Sequence, residues 1–251
     1  MMHLTTRILA LFLLSSSILT AQSTDSDFST WYWFQVKYKA SKKWNVNAQF
    51  QSRFNHNSTD FDKSNFFLSG EYKITKGLTA EILSQYTTSY TSNQYTVYSG
   101  LNYRFNLKFM QLNFRSSIQS KTNHFSHDFQ YNNPYSEWRN RLRLSIPFRQ
   151  DWVFSLSTEP YLNLQRNKSA YFSRVRNIAM LSYNVNNYHS ITMFYLVEPT
   201  LNAYYSNKNN FVLGFTYQIS IPKKAKEWKH FFDVKEEKSN KKETKELYNY
   251  L

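Results

Sequence analysis

The chain has 251 residues, with 31 Lys and Arg against 17 Asp and Glu, which gives a net charge of +14. It contains no cysteine, so disulfides, thiolate metal sites and lipid attachment at a cysteine are excluded. Aromatic residues form 19% of the chain, against only 4 Gly and 5 Pro. Beyond residue 21, no apolar run reaches the roughly 18 residues that a membrane-spanning helix needs, which excludes a helical membrane protein.

The N-terminal segment, residues 1–21, has the order of an export signal. Arg7 precedes the apolar run of residues 8–14, small residues follow, and the junction between Ala21 and Gln22 is the predicted cleavage site. A buried N-terminal helix is the alternative, and it is disfavoured because charge, apolar run and small residues stand in the order that export machinery reads. We therefore predict a signal peptide over residues 1–21.

Apolar and polar residues alternate with a period of two through most of the remaining chain, which is typical of β-strands that have one apolar face. The first two segments, residues 32–40 and 44–51, are joined by a polar turn at residues 41–43. Eleven segments follow this pattern, and ten of them pair into five hairpins. The later segments are residues 66–74, 78–86, 97–105, 110–118, 138–148, 152–162, 171–183, 188–197 and 211–221.

This series predicts an all-β fold, a transmembrane antiparallel up-and-down β-barrel over residues 22–221. The apolar face stays apolar to both ends of each segment, as a lipid-facing surface requires. A soluble antiparallel sandwich also has alternating strands, but charge interrupts its outer face. Bacterial single-chain barrels have even strand numbers, so we expect about twelve strands, with one missed within residues 120–136 or near the N-terminus, and ten as the alternative.

The connections between segments predict the orientation, because short turns of outer-membrane barrels lie in the periplasm and long loops lie outside. The long connections are residues 55–65, 87–94, 120–136, 163–170 and 199–209. Large aromatics flank the short turns, as in a periplasmic girdle: Tyr38, Trp44, Tyr72, Phe105, Phe109, Phe148, Trp152, Tyr183 and Tyr188. We expect a location in the outer membrane of a Gram-negative bacterium.

The C-terminal tail, residues 222–251, is rich in Lys and Glu and differs abruptly from the segments before it. With the last strand descending, the tail is expected in the periplasm. It is interpreted as a solvated extension, disordered or helical, and a peptidoglycan- or protein-binding element is the alternative.

The positive charge is dispersed along the segments, whereas nucleic-acid binding needs a contiguous basic patch. We therefore expect no nucleic-acid partner. Lys and Arg near the membrane edges are interpreted as contacts for outer-membrane lipid phosphates and lipopolysaccharide.

Charged residues recur in the polar phase of three segments, which places them inside the predicted barrel. They form two arginine stripes with a glutamate between them: Arg139, Arg141 and Arg143, then Arg174 and Arg176, with Glu159. One interpretation is an Arg–Glu network that fills a narrow lumen, because small barrels pack their interiors and a buried charge needs a partner. The other is an anion-attracting pore or pocket for an unidentified small solute.

Two polar neighbourhoods contain side chains of the types used in catalysis. His56, Ser58 and Asn65 resemble the Asn-His-x-Ser motif of outer-membrane phospholipase A, which is followed by an Asn. Thr59-Asp60 departs from the Asn-Gly of that motif. The second neighbourhood lies in a polar loop, where solvation is a simpler interpretation than a metal site or a triad: His124, Ser126, His127 and Asp128. We expect no enzymatic activity, no metal and no cofactor.

The strands rich in Arg resemble an outer-membrane β-barrel family of the Bacteroidota type, a group defined as a domain of unknown function. The residues that carry the likeness are EWRNRLRL at 137–144, STEPYLN at 157–163, FSRVRN at 172–177 and LSY at 181–183. The likeness spans residues 28–221, and the Ala21-Gln22 junction agrees with that source. It implies the barrel fold and the location, without an established activity.

The last segment resembles a barrel-assembly signal at four positions: Asn210, Gly214, Tyr217 and Ile219. This resemblance implies the membrane-insertion machinery as a partner. Thirty residues follow this segment, whereas such a signal ordinarily ends the chain.

Three functions stand open at this point. The expected one is a structural or interaction barrel, or a narrow pore with a basic lumen. An anion-selective channel for small solutes and an outer-membrane lipid hydrolase are the alternatives.

Overall fold

The computed structural model describes residues 25–124, 135–164, 171–199 and 208–222. The predicted signal peptide, the tail after Pro222 and the loop residues Ser126, His127 and Asp128 lie outside these residues. Within the described ranges, no helix is long and apolar enough to cross a membrane.

In these described residues, eleven β-strands form one closed barrel, in which each strand pairs with its neighbours along the chain and the last strand pairs with the first. The hairpin neighbours are antiparallel, whereas β1 and β11 are parallel. The strands are β1 Asp25–Tyr38, β2 Trp44–Asn55, β3 Asp60–Lys73, β4 Leu78–Ser89, β5 Asn93–Asn106, β6 Gln111–His124, β7 Tyr135–Arg149, β8 Trp152–Asn163, β9 Tyr171–Asn184, β10 His189–Pro199 and β11 Lys208–Ile221.

The closed barrel of the described residues has eleven strands, so the expected twelve and the alternative of ten are both wrong. The eleven predicted segments correspond to the eleven strands. An odd number closes because β1 and β11 run in the same direction and form a parallel ladder, in register from Asp25 opposite Lys208 to Tyr38 opposite Ile221. Consequently β1 begins at one rim of the barrel and β11 ends at the opposite rim.

The strands extend further than the sequence pattern predicts. Two of the predicted long loops are short turns, residues 56–59 between β2 and β3 and residues 90–92 between β4 and β5. The polar residues that we assigned to these loops continue the strands, since Asn65 and Thr87 lie in the inward phase and are buried. Polarity therefore marked the lumenal face here and not a loop.

The two rims differ in their connections. One rim, the turn rim, carries residues 39–43, 74–77, 107–110, 150–151 and 185–188. The other, the loop rim, carries the turns at 56–59 and 90–92 together with the connections at 125–134, 165–170 and 200–207. Three connections of the loop rim thus belong to the long class, as predicted.

The outward face of the barrel is apolar and accessible. Leu68 and Ile82 each expose 59% of their surface, and many outward aromatics are similarly accessible. Near the turn rim, predicted girdle aromatics contact each other, with 4.9 Å between the ring centroids of Trp44 and Tyr72 and 4.8 Å between those of Trp152 and Tyr183. A water-facing wall with this continuous apolar surface would be unusual, because monomers rarely expose large apolar patches.

Candidate functional site

The inward side chains divide the lumen into two sectors. In the charged sector, β5 to β9 contribute buried or half-buried Arg, Glu, Gln and Tyr side chains, and Glu198 at the end of β10 joins them. In the apolar sector, β10, β11 and β1 contribute buried aromatic and aliphatic side chains: Trp31, Phe194, Leu196 and Val212. Because side chains alternate across each strand, both sectors follow from the inward phase of the strands.

Glu159 on β8 is the centre of the charged sector. Its carboxylate accepts a hydrogen bond from Arg115 Nη2 at 2.6 Å and from Arg139 Nη2 at 3.1 Å. The hydroxyl of Tyr161 also donates to Glu159, at 3.2 Å. These partners satisfy a carboxylate that would be strongly destabilising if it were buried alone.

Glu137 on β7 is a second buried carboxylate. It accepts hydrogen bonds from Lys121 Nζ at 2.9 Å and from Arg174 Nη2 at 3.1 Å. The amide of Gln119 also donates to it. Since Arg174 lies on β9, this ion pair joins two strands that are not neighbours in the sheet.

Glu198 on β10 is the third carboxylate. Arg176 approaches its Oε2 atom with Nε at 2.7 Å and Nη2 at 2.5 Å. Arg174 Nε lies 3.8 Å from the same oxygen. Arg174 therefore links the carboxylates of β7 and β10.

Tyr161 lies where the arginines converge. Its ring is only 1% exposed, and the guanidinium carbons of three arginines lie near its centroid. The distances are 4.6 Å for Arg139, 4.1 Å for Arg174 and 5.3 Å for Arg176. Cation–π attraction to the ring and ion pairs to the glutamates thus act on the same three guanidinium groups.

On the opposite wall, uncharged side chains form a chain of hydrogen bonds. Asn65 on β3 donates to Gln51 on β2 at 2.8 Å, and Gln85 on β4 donates to Asn65 at 3.0 Å. The Tyr98 hydroxyl on β5 donates to Gln85 at 2.5 Å. Four consecutive strands are therefore joined inside the barrel as well as through their backbones.

Contacts between arginines and aromatic rings connect both ends of this hydrogen-bonded row of side chains to the charged sector. Arg53 donates to Gln51 at 2.9 Å and lies 3.9 Å above the Trp31 ring, and Arg176 lies 5.6 Å from the same ring. On the other side, the Arg139 guanidinium lies 5.1 Å from the Tyr98 ring. The contacts close a circle around the lumen, which we call the lumenal ring: Trp31, Gln51, Arg53, Asn65, Gln85, Tyr98, Arg139, Tyr161 and Arg176.

The apolar sector fills the lumen beside the lumenal ring. Phe194 packs edge-on against Trp31 and Trp33, with centroids 6.4 and 6.1 Å apart. Gly214 on β11 makes room for the Phe194 ring, because a Cβ at residue 214 would overlap it. This is the one glycine of β11, and its position opposite Phe194 in the strand register gives it a packing role.

The structure brings together four of the six predicted lumenal residues. Arg139, Glu159, Arg174 and Arg176 share one network, whereas Arg141 and Arg143 lie further along β7 toward the turn rim. The apolar sector and the amide chain were not predicted from the sequence. The signal of the apolar sector is the inward phase of β1, β10 and β11, where aromatic and aliphatic residues occupy positions expected to be polar. The signal of the amide chain is the inward phase of β2, β3 and β4, which carries Gln51, Asn65 and Gln85.

The structure separates Asn65 from the other two predicted catalytic candidates, His56 and Ser58. Asn65 belongs to the lumenal ring, whereas His56 is exposed in the turn at the loop rim, with its Nδ1 atom 3.4 Å from Asp60. Within the described part of the chain, no hydrogen bond joins His56 to Ser58, and the buried Ser58 Oγ has no partner.

This turn has an unusual backbone. His56, Asn57 and Ser58 have φ angles of 49°, 57° and 67°, in the left-handed region that non-glycine residues seldom adopt. The carboxylate of Asp27 on β1 accepts hydrogen bonds from the backbone N–H groups of His56 and Asn57 at 3.3 and 3.2 Å. The polar motif therefore forms a tight turn that is held to the neighbouring strand.

The described ranges were expected to contain no metal site. There, no three His, Asp or Glu side chains come together in a way that would hold an ion. His124 lies at the end of β6 and its three predicted companions lie outside the described residues.

A protein-family profile with the description "Protein of unknown function (DUF2490)" matches residues 28–203. The predicted likeness to a family of unknown function is thereby confirmed, while the bacterial group stays a prediction. No curated protein matches the chain.

Solved structures with a similar course of the chain include a "Bacterial polysaccharide outer membrane secretin", at 10% identity and a TM-score of 0.47, over 70% of this chain and 63% of that one. Another is the siderophore receptor PirA from Pseudomonas aeruginosa, at 10% identity and a TM-score of 0.30, over 64% of this chain and 33% of that one. The chain thus spans less than two thirds of the length of either structure.

Proposed function

This chain belongs to the DUF2490 family of proteins of unknown function, and from that premise we propose that it is an outer-membrane β-barrel whose lumen is closed by the lumenal ring. It then serves as a structural or interaction barrel and not as an open channel for solutes. The burial of the lumenal ring is the observation that carries this proposal.

The outward face supports the membrane location. In a bilayer every backbone polar group needs a partner within the protein, and a closed barrel provides one along every strand. The accessible apolar wall and the aromatic contacts near the turn rim match the lipid-facing band and the girdle of such barrels. Outer-membrane lipid and lipopolysaccharide are the proposed surroundings, and the barrel-assembly machinery is the proposed partner in insertion.

The buried ring supports closure. A side chain that lines a water-filled channel remains accessible to water, yet Gln51, Asn65 and Tyr161 expose only 0%, 1% and 1% of their surfaces. Side chains of strands that are not neighbours also contact each other inside the barrel, as Arg174 and Glu137 do, and they fill part of the lumen. The ring therefore leaves little room for a hydrated ion to pass.

Conductance across planar lipid bilayers tests the closure. The wild-type barrel is expected to show no stable conductance, because the lumenal ring blocks the lumen. Tyr161→Ala removes the aromatic side chain against which three arginines stack, and this variant is expected to produce discrete conductance steps. Tyr195→Ala, on the outward face of β10, removes an equal side chain from the lipid side and is expected to stay silent.

Two results would contradict closure. One is steady, anion-preferring conductance by the wild-type protein, which would favour the channel. The other is a silent Tyr161→Ala variant that still shows the heat-modifiable gel migration of a folded barrel. Gln85→Ala, which breaks the amide chain on the opposite wall, serves as the second opening variant if Tyr161→Ala fails to fold.

We further propose that the barrel is not a lipid hydrolase. The support is the separation of Asn65, inside the lumen, from His56 in the exposed turn. Phospholipid vesicles incubated with the folded protein are expected to release no fatty acid, with wild type and Ser58→Ala alike. Hydrolysis by the wild type that disappears in Ser58→Ala would overturn this.

A further inference from the structure

On the turn-rim side of the lumenal ring, the lumen is more accessible and strongly charged. Lys37, Asn45, Lys73 and Arg104 have the inward phase of their strands and are exposed there. We call this part of the lumen the turn-side chamber. Its further charged residues, which lie closer to the ring, are Glu71, Glu81, Arg115, Arg141 and Arg143.

Positive charge exceeds negative charge in the turn-side chamber. Its two carboxylates already have partners, since Asn45 donates to Glu71 at 3.4 Å and Asn102 donates to Glu81 at 3.0 Å. Arg115 lies between Glu81, at 4.0 Å, and the ring carboxylate Glu159. In the described part of the chamber, no carboxylate lies within ion-pair distance of the other three arginines.

Of these three arginines, Arg104 is exposed, whereas Arg141 and Arg143 are half-buried. Their Nε atoms are buried, and in the described part of the chain these atoms have no hydrogen-bond partner. Neither guanidinium forms an ion pair with any described carboxylate. The two neighbouring guanidinium groups repel each other, and their buried Nε donors are unsatisfied.

Other unsatisfied donors lie beside them. Ser157 on β8 is directly opposite Arg143 in the register, is 2% exposed, and its Oγ has no partner in the described ranges. Arg115 on β6 is directly opposite Arg141, and its Nε is likewise buried without a partner there. Opposite residues of antiparallel strands have Cβ atoms about 5 Å apart, so these donors border one small region.

We propose that Arg141, Arg143 and Ser157 form a binding site for an oxyanion, a phosphate or sulfate group, which enters from the turn rim. Planar guanidinium groups recognise such groups with two parallel hydrogen bonds, and a hydroxyl adds a third direction. An oxyanion at this point would satisfy the free donors and relieve the repulsion between the two arginines. The group is carried either by a free solute or by the head of a phosphorylated lipid.

The site lies on the turn-rim side of the lumenal ring and does not depend on whether the ring closes the lumen. Failure of the conductance experiment therefore leaves this proposal standing, and failure of anion binding leaves closure standing.

Thermal unfolding of the full chain in zwitterionic detergent micelles tests the site, with inorganic phosphate as the probe and chloride at equal ionic strength as the reference. Wild type is expected to be stabilised by phosphate in a saturable manner, because a ligand that binds only the folded state raises its stability. The double variant Arg141→Gln, Arg143→Gln is expected to lose affinity for phosphate by about tenfold or more, since two charge-assisted hydrogen-bonding groups are removed.

The matched control removes the same charge elsewhere in the chamber. Lys73→Gln, Arg104→Gln takes two positive charges from exposed positions near the turn rim and is expected to keep the wild-type affinity within about twofold, because exposed charges are well screened. Equal losses in both double variants would overturn the site, since they would reduce it to general attraction. Absence of any phosphate effect on the wild type would overturn it as well.

Ser157→Ala keeps the experiment decisive if the arginine double variant fails to fold. It leaves both arginines in place and is expected to weaken phosphate binding by about two- to tenfold through loss of one hydrogen bond. An unchanged affinity in this variant would remove Ser157 from the site and overturn the proposal as stated.

A second arm identifies the source of the oxyanion. Short-chain phosphatidic acid is added to the same micelles in competition with inorganic phosphate. Competition assigns the site to a lipid headgroup and its absence assigns it to a free phosphate, and in both cases the loss in the arginine double variant is required.

Discussion

The charged and apolar sectors occupy the same lumen but hold it together in different ways. From β5 to β9, the interior depends on buried ion pairs in which one glutamate pairs with two cations, such as Glu159 with Arg115 and Arg139. From β10 through β11 to β1, it depends on contacts among Trp31, Phe194, Leu196 and Val212. An inward position in this barrel therefore does not determine whether a side chain is polar.

The two sectors also differ in how they respond to change. An apolar cluster loses stability in proportion to the volume removed, and it accepts substitutes of similar size. A buried ion-pair network fails when one partner is removed, because the remaining charges lose their compensation. Substitutions in the two sectors should therefore differ in size and in which replacements rescue them.

The largest effect is expected from Glu159→Gln. The substitution preserves shape but leaves Arg115 and Arg139 without their shared carboxylate, and destabilisation of about 3–5 kcal/mol is expected. Urea unfolding of the barrel in lipid vesicles measures it. The control is Glu71→Gln, whose carboxylate is less buried and accepts one long hydrogen bond from Asn45, and a clearly smaller loss is expected. Equal losses would contradict the central role of Glu159.

A somewhat smaller loss is expected from Leu196→Ala in the apolar sector. Leu196 is buried against Trp31, Phe194 and Val212, and truncating it leaves a cavity that costs about 2–5 kcal/mol. Leu196→Met is the matched control, because a replacement of similar volume costs less than about 1.5 kcal/mol. If both variants lost the same stability in urea unfolding, the sector would not be held by packing.

The smallest of the three effects is expected from Gly214→Ala. The added Cβ overlaps the Phe194 ring, so the ring must shift, and overpacking of this kind costs about 1–3 kcal/mol. Heat-modifiable gel migration at increasing temperature measures the change. Gly70→Ala on β3 is the control, because its nearest contacts would be 3.9 Å away. A Gly214→Ala barrel as stable as Gly70→Ala would show that Phe194 has room to move.

Much of the fold was predictable from local pattern. The alternation in residues 32–40 and 44–51 reappears as β1 and β2, and the inward phase of Arg139, Glu159 and Arg174 reappears as a shared network. Period-two alternation is a local property, because successive side chains of any strand point to opposite faces. The pattern was misleading where polar residues continued a strand, as at Asn65, because polarity alone does not distinguish a lumenal position from a loop.

The candidate site was less predictable, because its partners are distant in sequence. Arg174 bonds to Glu137 across an intervening strand, and Arg53 meets Trp31 only because β1 and β2 pair in a given register. The polar motif at His56 and Ser58 had the composition of a catalytic group, yet its backbone forms a left-handed turn capped by Asp27. Such relations depend on register and closure, which no single segment contains.

By itself, then, the sequence determined that eleven segments alternate, which side chains of each share a face, and that the outer face is apolar. Only the tertiary structure decided that β1 and β11 pair in parallel. Whether a closed barrel has an odd or an even number of strands depends on whether its first and last strands run parallel or antiparallel. The tertiary structure also decided which inward charges form close ion pairs and that Arg141 and Arg143 do not, because ion pairs form across strands whose relative heights are set only when the barrel closes.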